Sequence, residues 1–230
     1  HTVTVTDGSL FSVGDTAVII QMKGASINTT NTIAGGQITG IGNAGNYEFF
    51  EIASIVGNTL TPVYPFVRSY NIAGLVQVVR FPNYSTGANV TATLTSQDWN
   101  DATGVGGVLA IKTTNLTLNA NIDVVGRGFR GVQMGFNGTP DNCTTDPTTS
   151  YVLDNTVTFS FTKGNGIVVD DALTNRGRAP RANGGGTGIS GDSGGGGGSN
   201  FGAGGEGGKR WCDINGASAG GLGGVSLSTF

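Results

Sequence analysis

The chain has 230 residues with a net charge of −3, and only 12% of them are charged, about half the usual share of roughly 25%. That balance gives no electrostatic footprint for nucleic acid or an anionic membrane. His1 is the only histidine, which excludes the usual zinc sites and the Ser-His-Asp and Cys-His arrangements of nucleophilic catalysis.

The first hundred residues read as short strands separated by Gly, Asn and Pro. Residues 2–6 (TVTVT) alternate, and residues 11–22 (FSVGDTAVIIQM) end in a nearly continuous apolar run, which predicts a central strand. Residues 37–41 are short and β-like. Residues 47–56 (YEFFEIASIV) alternate and are rich in aromatics. Gly57-Asn58 turns the chain into residues 59–62. Residues 75–81 (LVQVVRF) form a strand ended by Pro82, and residues 89–95 (NVTATLT) alternate again. No amphipathic helix is predicted. Residues 1–103 are therefore expected to form a β-sandwich-like body.

The rhythm changes near Gly104. Residues 106–111 (GGVLAI), 115–118 (NLTL) and 121–125 (NIDVV) are short strands broken at brief intervals. They read as one rung of a parallel β-solenoid. Residues 156–162 (TVTFSFT) predict a further strand, and residues 175–181 (NRGRAPR) a basic loop. The expected second domain is 104–230, ending on a strand-like VSLSTF that suggests continuation in a longer chain. The overall expectation is an all-β chain.

Residues 184–224 are dominated by glycine, the residue whose ordering costs most backbone entropy. A flexible linker is the compositional default. Ile189, Phe201, Trp211 and Leu222 argue against it, because linkers rarely carry large apolar groups. Gly202–Gly207 (GAGGEG) loosely matches a phosphate-binding loop, but no strand–loop–helix unit surrounds it. The preferred reading is a bundle of polyglycine II helices. These have three residues per turn and no internal hydrogen bonds, so their amides must bond to neighbouring helices. Phe201 and Trp211 are the expected anchors of that bundle.

The candidate catalytic groups are paired carboxylates, as in glycoside hydrolysis: Asp98 with Asp101, Asp170 with Asp171, and Glu48 with Glu51. Solvated loops or a structural calcium ion are the alternative use of such acids, with the Asp141/Asp146 loop an equal candidate. Tyr47, Phe49, Phe50, Tyr64, Tyr70, Tyr84 and Trp99 form either a sugar-stacking platform or core. The Thr-x-Thr patterns at 2–6 and 91–95 suit an ice-binding array or any outward-facing strand. N-x-[ST] triplets at Asn89 and Asn115 are expected by chance in so Asn- and Thr-rich a chain. Cys143 and Cys212 suggest one disulfide. No apolar run approaches the roughly 18 residues of a membrane helix, and the start at His1 suggests a processed, exported chain.

In combination, GDTAVIIQMKGA (14–25), NAGNYEFFEIASI (43–55), VQVVRFPNY (76–84), Trp99 with GGVLAI, GRGFRG (126–131), APRANGGG (179–186), GGGGGSNFGAGGEGG (194–208) and GGLGG (220–224) resemble large secreted surface proteins of gliding and biofilm-forming Bacteroidota. Val132 departs from the glycine usual after GFRG. The resemblance implies type IX secretion across the outer membrane, with display at, or release from, the cell surface. Low charge, the absence of catalytic residues and the glycine block lead to the expectation of structural or adhesive work without catalysis or cofactor, with partners among surface glycans, envelope proteins and secretion components, and with self-association. Asp15-Thr16-Ala17 resembles the O-glycosylation site of that phylum, on Thr16. The glycine block separately resembles polyglycine regions of phage tail adhesins and of receptor ectodomains. The alternatives to an adhesin are a carbohydrate-active β-solenoid enzyme and a filament or matrix subunit.

Overall fold

A computed structural model describes residues 2–132, 147–190, 192–210, 220–228 and 230. The fold is all-β, with a few single-turn 3-10 helices. The chain divides into two units. One holds residues 1–22 and 45–128. The other holds Lys23–Ala44 and Phe129–Phe230. The boundary read at 103/104 thus falls inside the first unit.

The strands of the first unit include β1 (Val3–Thr4), β2 (Thr16–Gln21), β5 (Tyr47–Val56), β6 (Thr59–Pro62) and β7 (Val76–Phe81), with β3 (Ser26–Ile27) and β4 (Ile38–Gly40) between them in sequence but in the second unit. They form one curled antiparallel sheet in the order β1-β6-β5-β2-β7. β2 is central because its run Ala17-Val18-Ile19 is buried from both faces. β5 alternates: Phe50 and Ile52 point inward, while Tyr47, Phe49 and Glu51 point outward. Ala17, Ile19, Phe50, Ile52 and Leu60 form the core, closed by Phe66 and Tyr70 from the loop after β6. Glu48 pins that loop. It accepts hydrogen bonds from the Val67 and Arg68 amides, both at 2.8 Å, and from the Tyr70 hydroxyl at 3.0 Å. Desolvation would raise its carboxyl, but these donors outweigh it and hold the group below the usual glutamate range.

The rest of the first unit makes two parallel passes. β8 (Asn83–Tyr84) pairs with β10 (Lys112–Thr113), and β9 (Ala88–Val90) with β11 (Leu116–Leu118). Leu94 bridges Ile122 in the same sense. The partners Gln77–Gly106, Ser85–Thr114 and Asp98–Arg127 each lie 29 residues apart. The buried Gln77 amide both donates to and accepts from the Gly106 backbone, at 3.0 Å each. Residues 106–111, predicted as a strand, are irregular. They face a cavity of about 850 Å³ lined mainly by aliphatic side chains.

In the second unit β3 and β4 pair antiparallel, and Gly24 and Ala25 both donate to the Ile167 carbonyl. Ala25, Ile167, Val168 and Ala182 form a small core, and Tyr151, Val152 and Ala179 another. One expectation is corrected here. Residues 156–162 are not a strand, because Asp154 captures the Thr156 amide in a turn and the buried Ser160 hydroxyl accepts from the Gly177 amide, so only Thr162 bridges to Arg176. The basic stretch 175–181 is irregular, and Arg178 and Arg181 within it are buried.

Candidate functional site

Three features of the described residues could carry function: the glycine block, a charged cluster beside it, and a hollow on the first unit.

Backbone hydrogen bonds cross-link the described part of the glycine block with a repeat of three. In segment 194–199, Gly194 and Gly197 donate to the Gly208 and Gly205 carbonyls, while Gly196 and Ser199 donate to Gly186 and Asn183. Gly221, Gly224 and Leu227 donate in turn to Gly194, Gly197 and Asn200. Gly204 and Gly207 donate to Gly224 and Gly221. Segment 194–199 thus bonds to two different neighbours through two of the three residues of the repeat, and so does 221–227, where Leu222 and Val225 donate to Arg178 and Ala182. A two-residue β ladder cannot do this. Glycine is required wherever two segments meet: a Cβ on Gly223 would stand 1.9 Å from the Gly204 carbonyl oxygen, and one on Gly186 1.9 Å from that of Arg178. Phe201, expected as an anchor, is 80% exposed, and only its carbonyl is used, by the Ser226 hydroxyl. The anchoring side chains are Ile189, fully buried, and Leu222, packed on Tyr151 and Val152. Trp211, Cys143, Cys212, Asp141 and Asp146 lie outside the described residues.

Beside the block lies a cluster of buried cations. Lys23 donates to Asp170 at 2.7 Å, and Arg181 donates to the other oxygen of the same carboxylate. Lys23 also stands over the Phe129 ring. Burial would raise the Asp170 carboxyl, but Lys23 and Arg181 prevail and hold it below the ordinary aspartate range. Lys163 is fully buried and donates only to the Tyr151 carbonyl, at 3.3 Å. Burial, with the positive charge of Arg181, brings its ammonium down to about 7. The unfolded chain, with an ordinary lysine near 10.4, then binds the extra proton above pH 7, so stability rises with pH. The urea midpoint should increase between pH 7 and 9.5. Lys163→Met should flatten that dependence and raise stability at pH 7 by about 1–2 kcal/mol.

The structure places five of the six acids of the predicted pairs in structural roles; Glu51 instead lines the hollow on the first unit. Asp170 is held as above, and Asp171 caps the Leu173 amide and the Thr174 hydroxyl. Asp98 pairs with Arg127, and Asp101 accepts from the Trp99 indole. Among the described residues no three His, Cys, Asp or Glu side chains converge as metal ligands would. Thr16 donates its hydroxyl to the Phe81 carbonyl at 3.0 Å, a bond that its modification would break.

The aromatic residues split. Phe50 and Tyr70 are core, whereas Tyr47, Phe49 and Tyr64 are exposed. Phe49 and Tyr64 border a hollow of about 480 Å³, with Glu51, Phe81, Lys112 and Thr113 among its other walls.

No family profile, curated protein or solved structure matches the chain. No helix among the described residues is long and apolar enough to cross a membrane.

Proposed function

We propose that the chain is a rigid, non-catalytic module of a secreted bacterial surface protein, with a structural and adhesive role. In this reading residues 184–224 are a polyglycine II bundle. The parallel passes of the first unit are one step of a β-solenoid laid against a sandwich-like sheet. The observation that carries the reading is the three-residue repeat of backbone hydrogen bonds in the glycine block. It matches a helix with three residues per turn and turns a composition typical of linkers into a scaffold. A low-charge, hydrogen-bonding surface and the resemblance to Bacteroidota surface proteins support an extracellular place, with glycans or envelope components as partners.

The test is retention of the purified chain on immobilised polysaccharides. Binding that leaves the polymers intact is expected. Release of new reducing ends would overturn the non-catalytic reading in favour of a carbohydrate-active enzyme.

A second reading, a filament or matrix subunit, is favoured by one feature. The amides of Gly205 and Gly208 bond to no backbone or side-chain group among the described residues, and nothing lies within 4 Å of a Cβ built on either. The bundle therefore has an open edge, analogous to an unprotected edge strand. Sedimentation at rising concentration distinguishes assembly of this kind from a monomeric adhesin.

A further inference from the structure

The outward face of β5 combines features that core packing does not account for. Phe49 is 62% exposed, yet its ring is held edge-on between Tyr47 and Phe81, at centroid distances of 5.8 and 5.5 Å. Tyr64, across the hollow, is 81% exposed. Two exposed aromatic rings thus border one concave space, and one of them is fixed in place.

The polar groups there are also uncommitted. Glu51 is the carboxylate that makes no hydrogen bond or ion pair among the described residues. Every other described Asp or Glu serves a turn, a cap, a loop or a cation. Lys112 is likewise unpaired, and both line the hollow. The volume of about 480 Å³ lies within the range of small-ligand sites, about 300–1,000 Å³.

The geometry points to a carbohydrate-binding site here, for a neutral pyranose chain. A pyranose has an apolar C–H face and a rim of hydroxyls. The face stacks on Phe49 or Tyr64, Glu51 accepts from neighbouring hydroxyls, and Lys112 donates to a ring or hydroxyl oxygen. A purely apolar ligand would leave both charges desolvated and unpaired. A metal would find one carboxylate and an opposing ammonium. An anionic ligand would face Glu51. This inference names the ligand class of the adhesive reading and rests on it.

The test is calorimetric titration of the chain with cellohexaose, xylohexaose, mannohexaose and maltohexaose, with amide and aromatic NMR shifts followed in parallel. At least one saccharide is expected to bind and to shift resonances of Phe49, Glu51, Tyr64 and Thr113. Phe49→Ala, Tyr64→Ala and Glu51→Gln should each weaken that binding tenfold or more. The three residues are exposed, so the unfolding midpoint should stay within a few degrees. Shifts elsewhere, or unchanged binding by the variants, would overturn the site while leaving the adhesive reading intact. Failure to bind any of the four would also overturn the site, and polysaccharide retention by the same preparation then reports separately on the adhesive reading.

Discussion

Replacing Gly223 by alanine should collapse the glycine block. The new methyl would stand 1.9 Å from the Gly204 carbonyl oxygen and 2.2 Å from its carbon, and neither is a flexible side-chain end that could swing away. Segments 203–208 and 220–224 would have to separate, breaking the bonds from Gly204 to Gly224 and from Gly207 to Gly221. The expected loss is about 3–5 kcal/mol, in the range reserved for backbone clashes in packed interiors. Gly208→Ala is the matched control. Nothing lies within 4 Å of a Cβ there and its φ is not positive. That substitution should be neutral or stabilise by about 0.4–1 kcal/mol, because alanine restricts the unfolded chain. Amide exchange over 184–224 reads both: protected in the parent and Gly208→Ala, fast in Gly223→Ala. Fast exchange in the parent would refute the bundle itself.

Asp170→Asn should be the second large effect. This carboxylate neutralises two cations, Lys23 and Arg181, whose side chains are 0% and 1% exposed. Removing one partner of a buried ion pair costs more than the pair contributes, because the remaining charge stays desolvated. Asp170 is itself 42% exposed, so water screens part of the loss, and about 2–3 kcal/mol is expected. Adding Lys23→Met should recover part of it. Asp171→Asn, which weakens only a local cap, should cost no more than about 1 kcal/mol. The sign with acid follows from the lowered pKa of Asp170. Its contribution is complete above the unfolded value near 3.9 and fades as the pH falls through the lower folded value. Denaturant midpoints of the parent and Asp170→Asn should therefore converge as acid is added.

The parts of this fold legible in the sequence are those governed by local periodicity. Tyr47–Val56 was readable as a strand because its two faces differ, and Thr16–Gln21 as a central one because its apolar run has no polar face. The composition and punctuation of the glycine block suggested a three-residue helix, and the spacing of its backbone hydrogen bonds is the observation on which that proposal rests. What failed were patterns that depend on distant partners. Residues 156–162 alternate like a strand, yet side-chain bonds from Asp154 and Ser160 divert the backbone. The burial of Arg178 and Arg181 was not legible, because nothing nearby in sequence reveals that the Gly220 carbonyl and Asp170 receive them. Phe201 looked like an anchor by hydrophobicity alone, while the neighbouring segments leave its ring in water. In the hollow, the aromatics and Glu51 were visible as types. Their lack of engagement was not, since it emerges only when every other acid is seen to be occupied.

The placement of Lys23–Ala44 sets an order of events during synthesis. This hairpin leaves the first unit after β2 and finds its partners only much later: Asn31 receives the Tyr151 amide across 120 positions, and Lys23 reaches Asp170 across 147. The strands around it can pair as soon as β7 emerges, whereas the hairpin must wait with Ile27, Ile38 and Ile41 uncovered. Loop closure over such distances is slow. The interval before residues 150–182 arrive is therefore when a nascent chain is most prone to stick to its neighbours, and a chaperone would do the most good then.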